Sequence, residues 1–158
     1  MITQARLKEV LYYHPESGDF IWHVKSGRAS VGTQAGTLDN GYIRIKIGKK
    51  KYRASRLAWL YMTGEHPKEQ VDHQDVTRHH NEWDNLREAG GVQQNANKNT
   101  QRNNRSGYKG VSPFRNKFRA VIYKNKKQKL LGYFSTKAEA AAAYKAAAQS
   151  QFGEFARA

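Results

Sequence analysis

Val71-Asp72-His73-Gln74-Asp75, followed by Asn85-Leu86-Arg87 twelve positions past His73, is the stretch on which the reading of this chain turns. It sets a carboxylate beside a histidine, with a carboxamide a short loop away. Metal-assisted cleavage of a phosphodiester needs those groups. A carboxylate holds a hard cation, an imidazole takes a proton from water, and an amide can fix the imidazole.

Upstream, Leu57-Ala58-Trp59-Leu60-Tyr61 predicts a compact apolar helix ending near Gly64, with Pro67 beyond it. Before that, Tyr42-Ile43-Arg44-Ile45-Lys46-Ile47 alternates apolar and basic residues, and Gly48-Lys49-Lys50 supplies a turn before Tyr52. This predicts a hairpin with one half-buried face. Gly18-Asp19 reads as a turn leading into a strand at Phe20-Ile21-Trp22, and Ala5, Leu7, Val10 and Leu11 give a helical pattern over residues 2–13. Downstream of Trp83, residues 85–98 contain good helix formers, so the segment reads as strand, loop, helix.

The 158 residues carry a formal net charge of +15, which is hard to explain without a polyanionic partner. There is no cysteine, which excludes disulfides and thiolate zinc sites. No apolar run approaches a membrane span and the first thirty residues lack a signal-peptide core, so a soluble, intracellular protein is expected. The charge is uneven. Residues 1–98 carry 15 Lys/Arg against 11 Asp/Glu, a net of +4, whereas residues 99–158 carry 13 against 2, a net of +11. The change coincides with residues 95–106, rich in Asn, Gln, Lys and Arg, which predicts a linker.

Beyond it, Gly107-Tyr108-Lys109-Gly110-Val111, residues 117–123 and residues 129–134 predict three strands, the last two joined by a polar turn at Lys124-Asn125-Lys126-Lys127. Ser135 or Thr136 then caps a helix with Glu139 in its first turn and alanine at eight of the eleven positions 138–148. A three-stranded sheet packed on a small-faced helix is the natural assembly, with Tyr144 as its large contact. The expected division is residues 1–95, a basic linker 96–106, and a second domain 107–158.

The hairpin, apolar helix, Asp72-His73 and Asn85-Leu86-Arg87-Glu88-Ala89, with Arg56-Leu57-Ala58-Trp59, resemble the HNH endonuclease family of phage and homing type over roughly residues 18–98. That resemblance implies an α+β fold, a two-stranded ribbon and a helix clasping one divalent metal (the ββα-metal fold). It implies His73 as general base, Asp72 as metal ligand, and Asn85 as the residue that holds the loop and orients His73. The third family position falls at Gln94, where His or Asn is usual, with Asn95 beside it; either amide could supply the remaining ligand. The ion implied is Mg²⁺, with Mn²⁺ as its substitute.

The C-terminal segment is similar to the plant ethylene-response-factor (Apetala-type) DNA-binding domain. The similarity rests on Tyr108-Lys109-Gly110-Val111, Phe118-Arg119-Ala120, Leu131-Gly132-Tyr133-Phe134, Glu139-Ala140-Ala141, Ala143-Tyr144 and Phe152-Gly153-Glu154-Phe155-Ala156. It implies a sheet lying in the DNA major groove, with Lys109, Ser112, Phe114, Arg115, Lys117, Arg119, Tyr123 and Lys129 on the binding face. Several base-reading arginines and tryptophans of the plant domains are missing, so their sequence preference does not transfer.

Plainer roles compete at several positions. His79-His80 reads as a solvated loop, Asp75 and Asp84 as turn or capping residues, and Trp59 and Tyr61 as core. Arg56 and Arg87 could meet phosphate or pair with nearby acids. The function expected is a metal-dependent endonuclease on double-stranded DNA, acting as a monomer or weak homodimer. The rivals are a DNA-binding regulator whose nuclease fold has decayed and a general RNA-associated protein. The latter leaves Asp72, His73 and Asn85 unexplained.

Overall fold

The computed structural model describes residues 1–97, 104–124 and 127–156, with the side chains of residues 92, 94, 95, 124 and 154 outside that description. Two compact units divide the chain, Met1–Ala89 and Gly90–Ala158. The boundary falls six residues before the expected one at 95.

In the first unit, helix α1 (Gln4–Val10) begins where the Thr3 hydroxyl accepts from the Arg6 amide at 3.2 Å. It is shorter than the 2–13 pattern suggested. Leu11–Tyr13 is instead strand β1, paired antiparallel with β2 (Phe20–Trp22) in a hairpin. Leu11 and Tyr13 point into the core and Tyr12 out, a period of two that the helical reading absorbed. A meander follows: β3 (Thr37–Asp39), β4 (Tyr42–Ile47) and β5 (Lys50–Arg53). The β4–β5 hairpin is the expected one. The β3 strand joins it through Asn40-Gly41, both at positive φ (51° and 81°), the geometry of a tight two-residue turn.

Helix α2 (Ala54–Thr63) buries Leu57, Ala58 and Leu60 against Leu7, Leu11, Tyr13, Phe20 and Ile45, and stops at Gly64 with φ 84°. Last comes the ribbon of β6 (Gln70–His73) and β7 (Leu86–Ala89), with Asp72 opposite Arg87 and His73 opposite Leu86. The helix expected from residue 85 is therefore displaced. Leu86–Ala89 takes its hydrogen bonds from the β6 ladder, which overrides modest helix propensity, and helix α3 (Gly91–Asn97) starts only after Gly90.

The second unit contains α3 and an antiparallel sheet, β8 (Val111–Phe114), β9 (Lys117–Lys124) and β10 (Lys127–Phe134), with β9 central. Gly107–Gly110, expected to open the first strand, forms turns, and Gly110 explains why. Its φ is 69°, and a Cβ there would lie 2.2 Å from the Tyr144 ring and 2.5 Å from the Val121 carbonyl. Residues 98–103 of the expected linker and residues 125–126 of the expected turn lie outside the described residues. At the ends of that linker, Ala96 and Asn97 are buried in α3, and Ser106 is buried, its hydroxyl donating to Val111 O at 2.8 Å.

Helix α4 (Lys137–Phe152) has the expected cap. Thr136 accepts from the Glu139 amide, and the Glu139 carboxylate accepts back from Thr136 N at 3.1 Å. Its Ala140, Tyr144 and Ala148 pack on Val111, Ala120 and Ile122. Among the described residues no helix is long and apolar enough to cross a membrane.

Candidate active site

His73 ends β6 and is buried, with 4% of its surface exposed. Its Nε2 lies 3.4 Å from Asn81 Oδ1. The Asn81 amide is oriented by its other end, where Nδ2 donates to His79 O at 2.9 Å. Oδ1 is thus the atom facing the ring, and as an acceptor it favours the tautomer with hydrogen on Nε2 and the basic lone pair on Nδ1. Burial pushes the His73 pKa below its ordinary 6.5, only partly opposed by the Asn81 contact and the charges of Asp75, Asp72 and Glu82. A neutral imidazole at pH 7 is the form a general base requires.

Asn81 is itself pinned by the N-terminal hairpin. Tyr13 donates its hydroxyl to Asn81 O at 2.7 Å in a buried bond. Gly18, at φ 74°, lies so close that a Cβ would sit 2.4 Å from the Asn81 carbonyl carbon. Trp83 N donates to Pro15 O at 2.8 Å, and the Trp83 ring packs 5.3 Å from Trp59 on α2. The loop that returns from His73 to β7 is clamped between that hairpin and α2.

Within the loop Asn85 and Asp75 bond reciprocally, Asp75 N to Asn85 Oδ1 and Asn85 Nδ2 to Asp75 Oδ1, both at 3.0 Å. Asn85 Nδ2 also reaches His80 O at 2.9 Å. Asn85 thus bonds to Asp75 and to the His80 carbonyl within the loop, and a side chain that meets the His73 ring is that of Asn81. Burial alone would raise the Asp75 carboxyl, but hydrogen bonds from Thr77, Asn85 and His80 outweigh it and bring the pKa to about 2. His80 Nδ1 lies 2.6 Å from Asp75 Oδ2, and the His79 ring meets His80 edge-on. Asp84 contributes its carbonyl, accepting from Gln74 Nε2 at 2.6 Å. Val76 in the same loop takes a positive φ of 62°, a conformation that β-branched residues avoid.

Asp72 lies across the ladder from Arg87, whose Nη2 is 3.3 Å from Asp72 Oδ2, with both side chains largely buried. Arg56 spends its guanidinium on chain carbonyls, at 3.1 Å from Pro67 O and 3.2 Å from Glu69 O. Of the two roles open to these arginines, Arg87 takes the pairing with an acid, and Arg56 is bonded to chain carbonyls. Gln94 and Asn95 fall on α3, and their side chains lie outside the described residues. Among the described residues no three His, Asp or Glu side chains cluster as a metal site.

In the C-terminal unit, strand register sorts the expected binding residues. Ser112 and Tyr133 flank Arg119, and Phe114 lies opposite Lys117, all on the face away from α4 with Tyr123. Arg119 and Arg115 approach the Phe114 ring at 6.0 and 5.6 Å. Lys129 departs from expectation, because it pairs with buried Ile122 and so belongs to the α4 side. The bulge between Leu130 and Gly132 shifts the alternation by one and turns it away from Tyr133. Tyr133 and Leu130, which sequence reasoning passed over, take the open face instead. Lys109 donates its ammonium to Ala96 O.

No curated protein and no solved structure matches the chain significantly. Residues 52–95 match the family model of the HNH endonuclease, a span running from β5 into α3 and containing Asp72, His73, Asn81 and Asn85. That match supports a nuclease hydrolase with DNA as its substrate, of a kind that generally uses a divalent metal.

Proposed function

We propose that the chain is a divalent-metal-dependent endonuclease that nicks double-stranded DNA and is targeted by its C-terminal unit. The observation that carries this reading is buried His73, whose pKa burial lowers and whose Nε2 faces Asn81, next in sequence to Asp72 within the segment that matches the nuclease family.

Donor chemistry fits the ion. Asp72 offers hard carboxylate oxygens beside the base, and hard oxygens suit Mg²⁺ or Mn²⁺. Asp72 would hold the ion, sharing its charge with Arg87. Bound there, the ion would stabilise charge developing on the phosphate and leaving oxygens. The chain's own residues do the rest. The imidazole of His73 takes a proton from water as the water oxygen attacks phosphorus and the opposite P–O bond breaks, the leaving oxygen taking its proton from solvent. Asn81 keeps Nε2–H bonded, which supports the imidazolium as it forms. Asn85 and Asp75 hold the loop at one shape through the reaction. One His73 serves one phosphodiester at a time, so a single chain nicks and a double-strand break needs a second chain or a second visit.

The C-terminal unit acts as the DNA-binding module, in the manner of the ethylene-response-factor type. Its support is the open sheet face of Arg119, Lys117, Phe114, Tyr123 and Tyr133 on a segment of net charge +11. The ion pair of Asp72 with Arg87 favours a second reading, a DNA-binding regulator in which Arg87 takes the cation's place.

Supercoiled plasmid incubated with Mg²⁺ or with EDTA, alongside His73→Ala, separates the two. Metal-dependent open circle that disappears in the variant, with DNA affinity kept, is expected. Shifted but uncut plasmid under every metal leaves the regulator.

A further inference from the structure

We infer that Tyr42, Arg53 and Arg78 form a clamp for the phosphates of the DNA backbone beside His73. Tyr42 opens β4, and its ring centroid lies 6.2 Å from that of His73. Two guanidinium groups converge on this ring. Arg53, which ends β5, places Cζ 4.1 Å from the centroid, and Arg78, from the loop after His73, places its Cζ at 5.2 Å. A quadrupolar ring face attracts a cation, so one tyrosine holds two arginines from distant elements next to the candidate base.

These two differ from their neighbours in how their charge is answered. Arg6 pairs with Glu9, Arg44 with Asp39 and Arg87 with Asp72, while Arg56 is bonded to carbonyls. Arg53 and Arg78 make no ion pair among the described residues, and both are exposed. Like charges gathered at one ring repel unless an anion sits with them. A planar guanidinium matches phosphate oxygens two at a time, which a lysine cannot do. The Asn40-Gly41 turn brings the backbone alongside, Gly41 packing on the Arg78 stem with space for a Cβ at 3.7 Å.

The ligand is therefore the phosphodiester backbone of the strand crossing His73, and the clamp fixes where along that strand the base acts. This inference rests on the nuclease reading for its meaning, but its test does not need cleavage.

The test uses the full chain with a labelled duplex in EDTA, reading fluorescence anisotropy over a range of salt. Each phosphate contact contributes a slope of about 0.9 to log affinity against log salt. Arg53→Ala with Arg78→Ala should flatten the slope by nearly two, and Tyr42→Leu should flatten it in the same direction. Tyr42→Phe keeps the ring and should keep the slope, as should Arg6→Ala. Replacing both arginines by Lys should restore the slope and not the full affinity. Trp22, Trp59 and Trp83 all lie in the N-terminal unit, so their fluorescence on heating reports whether each variant is folded. An unchanged slope in the double variant overturns the clamp, and a wild-type slope in Tyr42→Leu overturns the role of the ring. A double variant that loses slope as expected, beside wild-type protein that never nicks plasmid with Mg²⁺, keeps the clamp and removes the nuclease.

Discussion

The hydroxyl of Tyr13 donates to the backbone carbonyl of Asn81 at 2.7 Å, across 68 positions of sequence, and the side chain of the same Asn81 meets His73. Burial, reinforced by the charges of Glu82 and Asp84, raises the Tyr13 pKa, so this hydroxyl stays a neutral donor at any working pH. Tyr13→Phe leaves the Asn81 carbonyl buried without that donor. The expected cost is about 1–3 kcal/mol in urea unfolding, with nicking slowed and DNA affinity unchanged. A variant that loses stability and nicks at the wild-type rate would disconnect the hairpin from the base.

His73 sets a pH dependence whose sign follows from burial. Its folded pKa is below 6.5, so the unfolded chain binds the proton first on acidification. Stability contributed by the neutral ring is complete above 6.5 and declines as pH falls from there through the depressed folded value. The acid limb of nicking should lie in the same window. Asn81→Asp puts a carboxylate against the ring, favours the imidazolium, and should move that limb to higher pH. An unmoved limb in a folded Asn81→Asp protein would show that Asn81 does not govern the ring.

Gly18→Ala tests the same contact from the other side. The added methyl meets backbone, not a flexible side chain, at 2.4 Å, and the φ of 74° is itself strained for alanine. The loop bearing Asn81 must shift, so nicking should fall by at least tenfold, an order-of-magnitude expectation from the loss of near-attack geometry. Gel shift with duplex DNA provides the comparison, since binding by the C-terminal unit should survive.

Gly110→Ala reverses that pattern. Its Cβ would collide with the Tyr144 ring and the Val121 carbonyl, prising α4 from the sheet. Overpacking of this kind costs about 1–3 kcal/mol or more. Helical circular dichroism should melt at lower temperature, and duplex affinity should drop while the Trp fluorescence melt of the N-terminal unit stays put.

How much of this was legible beforehand varied with how local the cause was. Thr136 and Glu139 announce α4 because a capping box is a four-residue device. Asp72, His73 and Asn85 were legible as a spacing, the first two being consecutive at the end of β6. Asn81 was not legible, because its role depends on Tyr13 and Gly18, which no short-range pattern connects to it. Leu86–Ala89 was misread as helix because a ladder partner is invisible in local propensity. Lys129 was put on the wrong face because a single bulged residue reverses the parity of everything before it. Arg53 and Arg78 looked like ordinary surface charge until a shared ring brought them together.

The reach of the β1–β2 hairpin into the loop also bears on transplantation. A graft of residues 52–95 into another scaffold would carry Asp72, His73, Asn81 and Asn85, together with Arg53 and Arg78. It would leave behind the Tyr13 hydroxyl, the Gly18 contact, the Pro15 carbonyl and the Tyr42 ring. The smallest portable piece therefore starts upstream, at the first hairpin, and a designer who cuts at the edge of the matched segment would export Asp72, His73 and Asn81 without the residues that pin their loop.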